Sequence, residues 1–292
     1  MGVTIAKSVN EACAVLAENP ATTVLAGGTD LMVQVNRGAH SMEAVLDLSR
    51  IPELKKWTIE DSQIILGAGV SYTDFTHPEL ASFIPALAQA ARTIGSPQIR
   101  NAGTLGGNLA TASPAGDTIP VLVAMDAFIQ LKSSTGTREV SISEFITGVK
   151  ANSLKPGEII ESIRVPVFKG PQEFLKVGTR NAMVISVVSL ALVTDYLGRN
   201  LRIGVGSVSP VPFRATEAEE FISHEFDWET NSNLSEAVIN KFSELVADST
   251  EPIDDHRGTA NYRKHAVKVL AKRALERVNA GDIKRFLKPT PF

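Results

Sequence analysis

The chain has 292 residues, of which 43% are hydrophobic, enough for a large core and about two domains. Its 29 basic and 32 acidic side chains give a net charge of −3, so no global positive field favours nucleic acid or an anionic membrane surface. The single cysteine, Cys13, excludes an intramolecular disulfide and any iron–sulfur cluster held by this chain alone.

The first part of the chain predicts helix and strand in alternation. Apolar residues at helical spacing predict a helix over residues 8–18, and the apolar run of residues 22–26 predicts a buried strand. That strand runs directly into a pair of glycines, and Thr29 or Asp30 is expected to cap a short helix after them. The glycine pair is therefore expected on a strand-to-helix turn.

The middle of the chain continues this pattern and then loses it. Residues 45–48 and 64–69 predict strands, and the apolar spacing of residues 78–93 predicts a helix whose first turns Pro85 limits. Residues 95–116 are rich in Gly, Ser, Thr and Asn without a clear period, which predicts a long loop. Ordered loops of that length are uncommon unless they bind something, so this loop is a candidate ligand site.

A domain boundary is predicted after residue 170. Before it, residues 128–142 predict a hairpin and residues 159–167 a strand. Gly170-Pro171 breaks regular structure, so we expect domains of residues 1–170 and 171–292. In the second domain strand patterns come first, and three helices follow that begin near Thr216, Leu234 and Asn261.

Two glycine-pair segments carry the most specific chemistry, Ala26-Gly27-Gly28-Thr29-Asp30 and Thr104-Leu105-Gly106-Gly107-Asn108. Because glycine lacks a Cβ, each segment can bring bare backbone N–H groups against a phosphate. Neither contains Lys or Arg, which suits a cofactor that stays bound better than a nucleotide that is turned over. The chain has no Walker phosphate loop and no complete Rossmann fingerprint. Either pair alone is compatible with an ordinary tight turn, whereas together they predict a diphosphate clamp.

Three separated segments also resemble one protein family. The run from Gln98 to Asn108, continued by Ala112-Ser113-Pro114-Ala115-Gly116-Asp117, closely resembles the flavin-binding signature of the medium, FAD-carrying subunit of molybdenum hydroxylases. That family includes xanthine dehydrogenase and aerobic carbon monoxide dehydrogenase. The first glycine segment is similar to the family's other signature, and Asp254-Asp255-His256-Arg257-Gly258 to Tyr262-Arg263 is similar to its C-terminal pattern. The resemblance covers nearly the whole chain.

The resemblance implies an α+β fold with two parts. An FAD-binding domain of the vanillyl-alcohol-oxidase (PCMH) type, built from two subdomains, is expected over residues 1–170. A smaller α+β domain of the CO dehydrogenase flavoprotein C-terminal type is expected over residues 171–292. FAD is expected to bind noncovalently between them.

The same resemblance implies which residues meet FAD. One side of the pyrophosphate is assigned to Ala26, Gly27, Gly28, Thr29 and Asp30, and the other side and the ribityl chain to Thr104, Gly106, Gly107 and Asn108. Asp117 is expected on ribose or ribityl hydroxyls, the backbone of Ile160 on the isoalloxazine, and Lys176 near the flavin ring.

Simpler roles stand beside several of these assignments. Asp117 is also suited to cap a following helix, and Lys176 to be a solvent-exposed strand residue. His256 and Arg257 are assigned no chemical role, since a buried helix cap is expected there, and Cys13 is expected to be a packed thiol. No residue of this chain is expected to act as an acid, base or nucleophile, because flavin carries the redox chemistry.

The function implied is electron transfer within a larger complex. Molybdenum cofactor is expected on a large partner subunit and 2Fe–2S clusters on a small one, in a heterotrimer that assembles further. This chain would pass electrons through FAD to NAD, oxygen or a quinone. The alternatives are a stand-alone NAD(P)H reductase of the same flavin-binding superfamily and a cofactor-free scaffold. No membrane span and no signal-peptide core are seen in the sequence, so a cytoplasmic location is expected.

Overall fold

The structure is a computed structural model that describes residues 2–39, 42–229 and 234–279. Within those ranges there are eleven α-helices, numbered α1 to α11 in chain order. They are Val9–Glu18, Leu31–Asn36, Pro78–Phe83, Pro85–Thr93, Pro97–Ala102, Leu105–Thr111, Thr118–Ala124, Ile142–Phe145, Thr216–Glu225, Glu236–Asp248 and Ala260–Asn279. In this described part, no helix has the length and apolar composition needed to cross a bilayer.

The same ranges contain fourteen β-strands, numbered β1 to β14. They are Gly2–Ile5, Thr23–Leu25, Ala44–Asp47, Trp57–Glu60, Gln63–Gly67, Phe128–Ser133, Gly136–Ser141, Ile146–Gly148, Ala151–Asn152, Ile159–Pro166, Gln172–Val177, Val188–Asp195, Asn200–Gly206 and Phe213–Arg214. Glu53–Lys55 and Asp74–Thr76 form short 3-10 turns.

By their internal contacts the residues group into two compact units. Unit 1 comprises the described residues within Met1–Phe75, Gly95–Ser113 and Asp126–Pro166, and unit 2 comprises those within Thr76–Ile94, Pro114–Met125 and Val167–Phe292. Unit 2 thus combines the second half of the chain with two segments from the first 170 residues. The division into domains at residues 170 and 171 stays a prediction.

Unit 1 contains two main sheets. Strands β1, β3 and β2 form a parallel sheet in that order, and β4-β5-β10-β6-β7 form an antiparallel sheet. The predicted hairpin is confirmed: β6 and β7 pair from Phe128↔Ser141 to Ser133↔Gly136. Helix α1 is confirmed as well, with Ser8 as its N-cap and Cys13 buried on its apolar face. Strand β2 is an edge strand, and Val24 is 38% exposed, so the prediction of a buried strand there was wrong.

The predicted loop over residues 95–116 is wrong. It contains α5 and α6, each begun by a side-chain cap: Ser96 Oγ accepts from the Ile99 N–H, and Thr104 Oγ1 accepts from the Gly107 N–H. These helices have six and seven residues, too few to show a clear 3.6-residue period in the sequence. The predicted helix over residues 78–93 is instead two helices, since Pro85 begins a new one after Ile84.

Unit 2 is built on the antiparallel sheet β11-β12-β13-β14. Seven of the eight residues of β12 are buried, because both α7 and α11 pack on this strand. Gly204 in β13 allows α7 to approach closely, since a Cβ there would lie 1.8 Å from the Pro120 carbonyl oxygen. Helix α7, which begins directly after Asp117, is thereby held against the sheet.

Candidate flavin site

The first glycine segment forms the turn between β2 and α2 in unit 1. Gly28 has φ +69°, a left-handed conformation that glycine adopts readily. Among the described residues, the backbone N–H groups of residues 26–30 donate no hydrogen bond. Residues 26–29 are half-buried and Asp30 is exposed, so these donors remain open to solvent or to a ligand. A row of backbone N–H groups without a protein acceptor is the kind of feature that can bind an anion.

The side chain of Asp30 does not cap α2. Its carboxylate instead accepts a 2.5 Å hydrogen bond from Gln34 Nε2, one turn along the helix. Asp30 thus occupies the predicted N-cap position of α2 but without the expected side-chain cap bond, and its backbone N–H stays in the row of open donors. Thr29 makes no cap bond to α2 either, since the N-cap position belongs to Asp30.

The two predicted segments meet in unit 1. A Cβ added to Gly27 would lie 1.8 Å from the Ala102 carbonyl oxygen and 3.1 Å from Gly103 Cα. Ala102 and Gly103 directly precede Thr104, the N-cap of α6. The structure thus brings the first segment against the backbone that leads into the second.

The second segment uses its glycines differently. The Gly106 N–H donates to the Ala68 carbonyl at 2.8 Å, and the Gly107 N–H donates to Thr104 Oγ1 at 3.0 Å. A Cβ at Gly106 would lie 2.6 Å from Ala68 Cβ, so glycine is needed there for packing. A Cβ at Gly107 would meet only Thr104 Oγ1 within 4 Å, so this face of α6 is otherwise open. Asn108, half-buried in the next position, donates its N–H to the Thr104 carbonyl.

Ile160 is linked to the same region through Ala68. The Ala68 N–H donates to the Glu161 carbonyl at 3.0 Å, while the Ala68 carbonyl accepts from Gly106. The pairing register of β10 shifts between Ile160 and Ser162, as in a β-bulge, and Ile160 is buried. Bulges often re-aim the chain beside functional sites. Sequence reasoning missed Ala68; the signal was a small residue between two glycines at a strand end.

Two further predicted residues form a buried ion pair in unit 2. Lys176 Nζ lies 2.6 Å from Asp117 Oδ2, and the two side chains are 8% and 6% exposed. Ser186 Oγ donates a short hydrogen bond to Asp117 Oδ1, and Lys176 Nζ also donates to the Thr93 carbonyl at 3.3 Å. Burial raises the pKa of Asp117, and the neighbouring Lys176 charge opposes that rise.

This geometry corrects both simpler roles. Asp117 makes no side-chain cap bond to α7, because its carboxylate is taken by Lys176 and Ser186. Lys176 is buried, so the alternative of a solvent-exposed strand residue is wrong. Ser186 and Thr93 were not found from the sequence, since only the fold of unit 2 brings them together.

The C-terminal motif forms a second charged cluster in unit 2. The Arg263 guanidinium, in α11, is buried and lies 2.8 Å from Asp255 Oδ1. Desolvation raises the pKa of Asp255, but hydrogen bonds from the Arg257 N–H and from Arg263 outweigh it and hold the pKa at about 2. His256 is exposed in the turn between Asp255 and Gly258, so the prediction of a buried helix cap was wrong.

The donors in unit 1 are suited to a flavin dinucleotide. The turn at residues 26–30 supplies uncharged N–H donors in a row, and Gly28 supplies the left-handed backbone conformation within it. A diphosphate is the part of FAD that such a turn binds. In the described residues, no group of three or more His, Cys, Asp or Glu side chains is placed to hold a metal ion.

Comparison with known families identifies the class of protein. Residues 1–168 match the family described as the FAD binding domain in molybdopterin dehydrogenase, and residues 173–278 match the CO dehydrogenase flavoprotein C-terminal domain. The chain belongs to this family of FAD-binding subunits of molybdopterin-dependent dehydrogenases. The predicted resemblance, the α+β fold class, FAD as the cofactor and an oxidoreductase subunit are thereby confirmed.

Individual relatives extend this finding. The chain is 32% identical to the glyceraldehyde dehydrogenase medium chain of Sulfolobus acidocaldarius, over 94% of this chain and 96% of the relative. It is 29% identical to the xanthine dehydrogenase FAD-binding subunit of Escherichia coli O157:H7, over 93% and 92%. A chain of carbon monoxide dehydrogenase from Hydrogenophaga pseudoflava superposes with a TM-score of 0.85 at 28% identity, covering 96% of this chain and 97% of that one.

Proposed function

We propose that this chain is the FAD-carrying electron-transfer subunit of a multisubunit molybdenum hydroxylase. The observation that carries the proposal is the row of five open backbone donors at residues 26–30, set against the backbone that leads into α6. Bound noncovalently, FAD supplies reversible one- and two-electron chemistry. The protein's own task is to hold it, orient it and set the charge around it.

Unit 1 is proposed to hold the diphosphate and the flavin. The N–H groups of residues 26–30 donate to phosphate oxygens, which stabilises the phosphate charge without a cationic side chain. Thr104, Gly107 and Asn108 meet the cofactor from α6, whose face at Gly107 carries no side chain. Gly106 contributes by packing on Ala68, which lets α6 lie close to the strand β10. Ile160, at the bulge of β10, contributes backbone to the isoalloxazine.

By the family resemblance, Lys176 and Asp117 are proposed to set the charge near the cofactor. An ammonium close to the flavin favours negative charge on its reduced form and raises its potential. In this chain the Lys176 ammonium is paired with Asp117, so its effect depends on the protonation state of that carboxylate. Asp117 is proposed to reach a cofactor hydroxyl with the lone pairs that Lys176 and Ser186 leave available.

The electron path is proposed to begin on partner subunits. Relatives named as medium chains and FAD-binding subunits support a division of labour among several chains. Cys13 is the single cysteine of this chain and is buried, so iron–sulfur clusters are assigned to a small partner. The molybdenum cofactor is assigned to a large partner. The assembled heterotrimer is proposed to lie in the cytoplasm. The final electron acceptor is proposed to be NAD, oxygen or a quinone.

Co-purification and reduction of the flavin test this proposal. The chain is expressed alone and with its partner subunits, and bound flavin is released by denaturation and quantified. We expect about one FAD per chain, reduced by the complex's substrate only when both partners are present. Absence of FAD would support a cofactor-free scaffold. Steady NAD(P)H oxidation coupled to reduction of a small substrate by the chain alone would support the stand-alone reductase.

A further inference from the structure

Arg263 joins two separate stretches of backbone in unit 2. The residue is 3% exposed, and Nη1 of its guanidinium donates to the Val187 carbonyl at 2.6 Å and to the Ser207 carbonyl at 2.8 Å. Nη2 donates to Asp255 Oδ1 at 2.8 Å. A buried cation with three oxygen acceptors holds those acceptors in fixed positions.

The two residues that carry these carbonyls, Val187 and Ser207, are also hydrogen-bonded to the segments that contain the buried Asp117–Lys176 pair. Val187 follows Ser186, whose hydroxyl donates to Asp117, and the Val187 N–H donates at 2.8 Å to Val177, the neighbour of Lys176. The Ser207 N–H donates at 2.9 Å to the Pro114 carbonyl, three residues before Asp117. One guanidinium therefore braces the backbone on each side of the pair.

Only arginine is suited to this arrangement. Its planar fork presents donors on two nitrogens in fixed directions, whereas a lysine ammonium is a compact point charge on a flexible stem. Ser207 has φ +67°, an uncommon conformation for a residue with a side chain, and its carbonyl bond to Arg263 helps to hold it. Asp255 compensates the charge of the buried guanidinium.

We propose that Arg263 is a positioning residue for the Asp117–Lys176 pair, acting through the backbone at Val187 and Ser207. The C-terminal motif would then fix the charge that the cofactor experiences without touching the cofactor. This inference rests on the proposed function only for its effect on flavin. The order of the buried pair itself is a property of the protein without cofactor.

The first experiment measures access to Lys176 in the cofactor-free chain. An amine-reactive reagent labels the native protein, and peptide mass spectrometry gives the labelling rate of Lys176. We expect R263K to raise that rate by at least about tenfold, since a hydrogen bond to a charged group contributes enough to account for that factor. The FAD-loaded complex of R263K should also show a shifted flavin midpoint potential, because the Lys176 charge is no longer held in place.

R214K is the matched control. Arg214 also lies in unit 2 and pairs with the buried carboxylate of Glu219, with Nε 3.0 Å from Oε1. We expect R214K to lower the unfolding temperature while leaving Lys176 labelling and the flavin potential at parental values. Equal labelling in R263K, R214K and the parent would overturn the inference.

D255N is the second variant, for the case in which R263K does not fold. It keeps the guanidinium but removes its counter-charge, and it should raise Lys176 labelling several-fold. Parental labelling in folded D255N, with R263K unfolded, would overturn the inference too. Failure of the proposed function would look different: the parent would bind no FAD, while the labelling difference between variants would persist.

Discussion

Adjacent glycines in the first segment are required for two different physical reasons. Gly28 has φ +69°, so its need is conformational, and a Cβ there would make only tight but adjustable side-chain contacts at 3.2 and 3.4 Å. Gly27 does not have a positive φ, and its need is steric, since its Cβ would overlap the Ala102 carbonyl. The sequence showed two glycines in a row but not this division of roles.

Replacing Gly27 with Ala should therefore weaken FAD binding at least about tenfold and cost about 1–3 kcal/mol of stability, since the overlap forces the two segments apart. Titration of the cofactor-free chain with FAD, followed by flavin fluorescence, gives the affinity. G148A is the control, because its Cβ would make an ordinary 3.6 Å contact with Ala151 in the same unit. Parental affinity in G27A would contradict the assignment.

Asp255 makes stability depend on acid pH. Its pKa is about 2 in the folded chain and near 3.9 in an unfolded one, so the unfolded state binds more protons between these values. The stability contributed by the Asp255 carboxylate is therefore present above about pH 4 and lost as the pH falls toward 2. Urea unfolding of the parent and of D255N across pH 5 to 2.5 measures the contribution of the Asp255 carboxylate to the free energy of unfolding. The difference in free energy of unfolding between the parent and D255N should shrink as the pH falls. A difference that stays constant would contradict this role of Asp255.

At the scale of elements, most long periodic segments were predicted well, with residues 78–93 the exception because Pro85 divides them, and short capped helices were missed. Helix α1, the β6–β7 hairpin and the strand β10 follow from apolar spacing that the sequence displays over many residues. Helices α5 and α6 each begin with a single cap bond, accepted by Ser96 and Thr104, and glycines within α6 lower its intrinsic helix propensity. Their stability comes from packing such as that of Gly106 on Ala68, which no local pattern records.

The cap of α6 offers a test of that dependence. T104A removes the acceptor of the Gly107 N–H and should cost about 1 kcal/mol, as N-cap losses do. If α6 contributes to the flavin site, FAD affinity should fall as well, and T104S should restore most of it. S8A removes the equivalent cap of α1 in the same unit and should cost a similar amount with FAD affinity unchanged. Equal effects of T104A and S8A on FAD binding would contradict the assignment of α6 to the flavin site.

For the whole molecule, linear order was a poor guide to which segments pack together. Residues 114–125 lie within the first half of the chain, yet α7 packs on β12 and β13 of unit 2. The contact depends on Gly204, whose missing Cβ admits the Pro120 carbonyl. The sequence-based assignment placed Asp117 by resemblance alone, and its actual partners, Lys176 and Ser186, come from distant parts of the chain.

Ligand-linked stability tests the cofactor assignment on the intact chain. A ligand that binds only the folded state stabilises it in proportion to the logarithm of its concentration over Kd, about 2.7 kcal/mol at a hundredfold excess. Because the open donors of residues 26–30 are assigned to a diphosphate, FAD should raise the unfolding temperature far more than FMN or riboflavin at equal concentration. ADP, which shares the diphosphate, should give an intermediate rise and compete with FAD. If riboflavin stabilised the chain as well as FAD does, binding energy would lie in the flavin ring alone, and the diphosphate clamp would be refuted.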